Sequence, residues 1–153
     1  MPPVTTPLRL DVRRLGTGPE VELSLNVPSD LDYVGPAVEL IVASCPVGTL
    51  SPRRLLFNFR TALAEALSNA IAYGNRHDPA KVVRVRVEIA PEAVRVHVAD
   101  DGDGFDPGTV PDPTLPENLE REVGRGLFVL RHLVDHVSFN AKGNAICLTL
   151  RAG

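Results

Sequence analysis

Three short stretches of the chain carry residue types whose spacing could do chemistry. Glu65 and Asn69 are four apart, which on a helix puts them on one side, about 6 Å apart along the axis. A carboxylate that can accept a proton then stands beside an amide that can hold a cation, although the same pair also suits a plain solvated helix face. The second stretch, VADDGDGFDP (Val98 to Pro107), places four aspartates and two glycines behind a run of alternating valines. Asp100 falls where a strand should end, and Gly102 and Gly104 allow positive φ and close approach to the backbone. A carboxylate fixed at a strand end accepts hydrogen bonds from an amino group. Adenine offers an exocyclic amine where guanine presents a carbonyl oxygen, so Asp100 could select the base. An EF-hand calcium loop does not fit, because Phe105 falls where the third ligand belongs and no glutamate follows at the required position. An ordinary turn rich in Asp and Gly fits as well as a binding loop does. The third stretch, Gly124-Arg125-Gly126, precedes apolar spacing that begins at Leu127, so free N–H groups and the positive end of a helix dipole would face whatever lies before it. Phosphate is the natural guest there, and a tight turn before a core helix is the alternative. Neither the P-loop pattern nor G-x-G-x-x-G is present.

Stretches of this kind need elements to hold them. Leu8, Leu10 and Val12 alternate inside a Pro- and Gly-rich extension, residues 1–20, and allow one short strand. Val21, Leu23, Leu25 and Val27 have the period of a half-buried strand, closed by Pro28-Ser29-Asp30 with turn and helix-cap chemistry. A helix is predicted from Leu31 to about Ser44, with Pro36 either kinking it or marking its first turn. Ser51-Pro52 reads as the start of the next helix and Gly74 as its stop. Leu56, Phe59, Leu63, Leu67 and Ala70 then share one face, with Asn58, Thr61, Glu65 and Asn69 on the other. VVRVRVEI (82–89) and AVRVHVA (93–99) read as an antiparallel hairpin whose valines 83, 85, 87, 94, 96 and 98 face the core. Asp106 to Val123 is a long proline- and acid-rich loop, the length of a functional lid or a disordered segment. Helical spacing resumes at Leu127, Leu130 and Leu133 or Val134, and VSFN and AICLTL close the chain as a second hairpin across Lys142-Gly143-Asn144. The expected fold is α+β, a two-layer sandwich of a mixed, mainly antiparallel sheet covered on one face by helices.

With 153 residues, 44% hydrophobic and 23% charged, the chain has the size and composition of one globular domain. Its net charge of −3 argues against a nucleic-acid reader, which would be basic. No stretch has the length of a bilayer-spanning run or the apolar core of a secretory signal, so a soluble cytoplasmic protein is expected, with no nucleic acid and no membrane as partner. Cys45 and Cys147 form no C-x-x-C pair and read as two small buried apolar residues. The four histidines, His77, His97, His132 and His136, lack a third ligand at suitable spacing and read as surface or partly buried residues.

Taken together and in order, the three stretches resemble the GHKL ATPase and kinase superfamily. EALSNAIAYGN resembles its N-box, VADDGDGFDP its first glycine box and VGRGLFVLRHLVDHVSF its second. Within that superfamily the likeness is greatest to the anti-sigma-factor serine/threonine kinases, and it covers roughly Val21 to Leu150. The resemblance implies a Bergerat, histidine-kinase-like ATP-binding fold over residues 21–150. It implies adenine on Asp100, Mg2+ on Asn69, Glu65 as general base, and ATP cradled by Gly102, Gly104, Gly124, Arg125, Gly126 and Leu127. The implied partners are a sigma factor, an anti-sigma-factor antagonist as phospho-acceptor, and a second copy of the chain. Glu65 favours attack by a hydroxyl or water over attack by an imidazole, which is nucleophilic without a base. The chain departs from the pattern at Glu122, where some members carry an arginine that reaches the phosphates, with Arg121 and Arg125 as neighbouring substitutes. It departs also at Tyr73, where relatives often have histidine. The alternatives are a non-catalytic ATP-binding sequestering module, an ATPase, or the catalytic domain of a sensor histidine kinase.

Overall fold

In a computed structural model the described residues are 8–18, 20–46, 48–104 and 122–153, the last segment with side chains from residue 126 onward. The strands are β1 (Asp11–Arg14), β2 (Val21–Pro28), β3 (Val82–Ile89), β4 (Ala93–Ala99), β5 (His136–Phe139) and β6 (Ala145–Arg151). They form one sheet in the order β1-β2-β3-β4-β6-β5, and every pairing is antiparallel. The alternation read from the sequence sets its two faces. Leu23, Leu25 and Val27 of β2, all six of the hairpin valines, and Leu148 and Leu150 of β6 are buried, while Arg84, Arg86 and Arg95 point out to solvent.

The buried face is covered by α1 (Val34–Ser44), α2 (Arg60–Asn69) and α3 (Glu122–Leu133), through Val38 and Ile41, Leu63 and Leu67, and Leu130. Asp30 caps a short 3-10 turn, Leu31–Tyr33, by accepting from the Asp32 N–H at 2.9 Å. Pro36 falls in the first turn of α1, where its missing N–H has no partner to lose, so the first-turn alternative holds and the kink does not.

The helical rod that contains α2 begins as predicted. Ser51 Oγ accepts from the Arg54 N–H at 3.2 Å. Its first turns, Arg54–Phe59, and its last, Ala70–Gly74, are π-helical. The wider turn shifts the phase of the 3.6-residue pattern, and this corrects one assignment: Leu56 is exposed and Leu55 packs on the core in its place. Gly74 ends the rod, but not as a left-handed cap, because the positive φ values fall on Arg76 and His77. The other correction concerns α3, which begins at Glu122 and not at Leu127, so Gly124, Arg125 and Gly126 lie inside its first turns. Of the predicted lid, residues 106–121, Arg121 included, lie outside the described residues, as does Phe105.

Candidate functional site

Glu65 and Asn69 lie one turn apart on the outer side of α2, and Asn69 Nδ2 donates to Glu65 Oε1 at 3.4 Å. That leaves the Asn69 amide oxygen accepting no hydrogen bond from a described residue. Helix α3 crosses directly above the pair. A Cβ on Gly126 would stand 2.5 Å from Glu65 Oε1 and 2.8 Å from Asn69 Nδ2, so the absence of a side chain there is what lets the backbone of α3 approach both groups.

At the other end of the site, Asp100 is the first residue after β4, and its N–H donates to Asn144 O at 2.9 Å. Its carboxylate lies against the Cα of Gly74, where a methyl group would overlap it, and Gly102 packs as closely on the Gly74 carbonyl. Asp100 Oδ1 accepts from the Gly102 N–H at 2.8 Å, while Oδ2 accepts from no described residue. Burial raises the Asp100 carboxyl above the ordinary aspartate range and outweighs the Gly102 hydrogen bond, which favours the ionised form. Gly104 turns with φ +79 against the Lys142 carbonyl, so the second hairpin closes the rim.

Between these ends opens a cavity of about 410 Å³ whose lining includes Asn69, Asp100, Gly102, Gly104 and Leu127, with Ala66, Val98 and Ile146 as apolar wall. A second, more open groove adjoins it, sharing Asn69 and Tyr73 and adding Glu65, Gly126, Leu31 and Val129. Seven of the nine residues singled out from the sequence are thus brought to one region. The other two are Gly124, whose backbone is in α3, and Arg125, whose side chain lies outside the described residues. Glu65 and Gly126 face the groove, whereas Asp100 faces the cavity.

Sequence reasoning passed over Asn75, which is fully buried. It donates to Ser29 Oγ at 2.9 Å and to Val82 O at 3.0 Å, and its Oδ1 accepts from the Asp101 N–H at 2.7 Å. It closes the N-box-like stretch, but nothing in the sequence signals a partner 46 residues away. The salt bridge from Arg84 to Asp101, 2.8 Å, secures the same turn from outside and lowers the Asp101 carboxyl.

Residues 27–150 match the family described as the histidine kinase-like ATPase domain. The chain is 32% identical over 92 residues to the anti-sigma F factor of Anoxybacillus flavithermus, an alignment that covers 58% of this chain and 62% of that protein, less than two thirds of its length. It is 29% identical over 135 residues to the serine-protein kinase RsbW of Staphylococcus aureus, covering 83% of this chain and 84% of the relative.

Proposed function

The chain belongs to the histidine kinase-like ATPase domain family, and from that premise we propose that it is an ATP-binding anti-sigma factor with serine/threonine kinase activity toward an antagonist protein. One observation carries the reading: a carboxylate and an amide on α2 meet the side-chain-free backbone of Gly126 beside a cavity floored by Asp100. The cavity has the volume of a small-molecule site, and its lining joins apolar residues to polar and charged ones, Arg76, Lys81 and Asn144 among them. The Asp100 Oδ2 acceptor suits an exocyclic amine, and the Asn69 amide oxygen suits a hard cation, so the residues present fit ATP and Mg2+. Bound Mg-ATP supplies the transferable γ-phosphoryl and most of the charge neutralisation around it.

The chain's own groups do the rest. Asp100 accepts from the base and selects it, and the apolar wall packs against its faces. Asn69 holds the cation and, through its Nδ2, orients the Glu65 carboxylate. Glu65 faces the groove, so the acceptor hydroxyl would enter from that side, between Leu31 and Val129, giving its proton to Glu65 and taking the γ-phosphoryl as the bond to the bridging oxygen breaks and ADP leaves. Backbone N–H groups in the first turn of α3, near Gly124, stand at a helix N-terminus, the usual seat for phosphate. In this reading the partners are a sigma factor, the antagonist that carries the acceptor serine or threonine, and a second copy of the chain.

A second reading, a module that binds nucleotide and sequesters its partner without catalysis, is favoured by Glu122, an acid where some relatives carry a phosphate-reaching arginine. Transfer from γ-labelled Mg-ATP into a lysate of the native host lacking this protein separates the two. Acid-stable, alkali-labile label on one protein is expected, reduced about 10²- to 10⁴-fold by Glu65→Ala with ATP affinity largely kept. ATP binding without labelled protein would establish the sequestering module, and free phosphate alone would establish an ATPase.

A further inference from the structure

Asp101 lies past the end of β4, where no ladder partner remains for its N–H. That N–H is taken up by Oδ1 of Asn75 at 2.7 Å. A wholly buried asparagine is costly unless its polar atoms find partners, and those of Asn75 converge from three directions. Ser29, just after β2, accepts one Nδ2 hydrogen bond and donates its own hydroxyl to Lys81 O at 2.7 Å. Val82, the first residue of β3, receives the other through its carbonyl at 3.0 Å. The Asp100–Gly102 turn is the third. Asn75 itself stands directly after Gly74, the residue against which the Asp100 carboxylate lies. One side chain therefore fixes the neighbours of Asp100 on both sides of the contact, Gly74 through the chain and Asp101 through its N–H.

We infer that Asn75 is a positioning residue that sets nucleobase selectivity: by holding the Asp101 N–H to the ends of β2 and β3, it keeps the Asp100 carboxylate aimed into the cavity. Asn75 borders the same cavity, but its side-chain atoms are taken up by Ser29, Val82 and the Asp101 N–H, so its effect passes through Asp100. The inference rests on the nucleotide reading of the cavity. Only an asparagine-like group suits the place, because two donors and one acceptor are required at once. A carboxylate there would set oxygen against the Ser29 hydroxyl oxygen and the Val82 carbonyl.

The test is the ratio of ATP to GTP dissociation constants, measured by calorimetry below the melting temperature of every variant. Asn75→Ala should narrow the wild-type preference for ATP about tenfold or more, the scale of one buried hydrogen bond lost to misalignment. Ser29→Ala, which removes one acceptor and leaves Val82 O in place, should narrow it less and in the same direction. Leu23→Ala opens a hole in the core away from the turn, so it should weaken the fold while leaving the ratio at the wild-type value. A preserved ratio in Asn75→Ala overturns the inference. Should that variant fail to fold, a wild-type ratio in Ser29→Ala overturns it instead. A wild-type chain that binds both nucleotides alike overturns the base-reading role of Asp100, and the inference with it.

Discussion

Asp100 combines two demands that pull against each other. Burial raises its carboxyl above the ordinary 3.8, yet the ionised form is the stronger acceptor for the hydrogen bond of an amine. A carboxyl whose folded value lies above its unfolded one binds protons more readily in the fold, so between the two values stability falls as pH rises. Nucleotide affinity runs the opposite way and should fall on acidification with a midpoint above 3.8. Asp100→Asn should flatten that profile and blur the choice of adenine over guanine. An unchanged profile would remove the carboxylate from the binding site. At this scale the sequence was informative wherever a residue's neighbours in the chain are also its neighbours in space. Asp100, Gly102 and Gly104 could be read together, as could Glu65 and Asn69 one turn apart. Asn75 could not, because its meaning depends on Ser29, Val82 and Asp101, which only the folded sheet brings to it.

Helix packing sets the geometry of the Glu65–Asn69 pair. The backbone of α3 reaches Glu65 and Asn69 only because position 126 has no side chain. Gly126→Ala should drive the two helices apart by several tenths of an ångström or swing the carboxylate aside. Misplacement on that scale should lower phosphoryl transfer by about 10²-fold, while ATP affinity, set mainly at the Asp100 end, changes less. Full transfer in the variant would show that the close approach has no catalytic role. Element boundaries were less legible than element types. The valine alternation located β3 and β4 and their buried face, and Ser51-Pro52 located the start of the helical rod. The π-helical turn carried Leu56 out of the face assigned to it, because a periodicity count assumes a constant turn. Helix α3 begins at Glu122, since glycines count as breakers in a sequence even when a crossing helix requires them.

For the molecule as a whole, one core joins the sheet to all three helices, so a loss at its centre should be felt everywhere. Leu63→Ala, at a fully buried position on α2, should cost about 2–5 kcal/mol in denaturant unfolding. Cys45 offers a reporter for the same transition. Burial pushes its thiol up to about 11 from 9.0, which leaves about 100-fold less thiolate at pH 8 than in the unfolded chain. Alkylation of Cys45 by iodoacetamide should therefore be about that much slower in the folded protein and accelerate with unfolding. Equal rates in both states would mean that the end of α1 is open in the native fold. The architecture was legible at this scale because a sheet with one buried face writes its period into its long strands β2, β3, β4 and β6, whereas the four residues of β1 are all exposed. The hold of Asn75 on Asp101 also reaches beyond base selection. An N–H in a turn ordinarily trades its hydrogen for deuterium within local fluctuations, but this one is bonded to a side chain with no solvent exposure. It exchanges when that hydrogen bond opens, so it should be slower than an ordinary turn amide, and slower with Asn75 present than in Asn75→Ala. The Asp100 end of the cavity is then ordered before any ligand arrives, and the entropy of ordering it belongs to folding and not to binding.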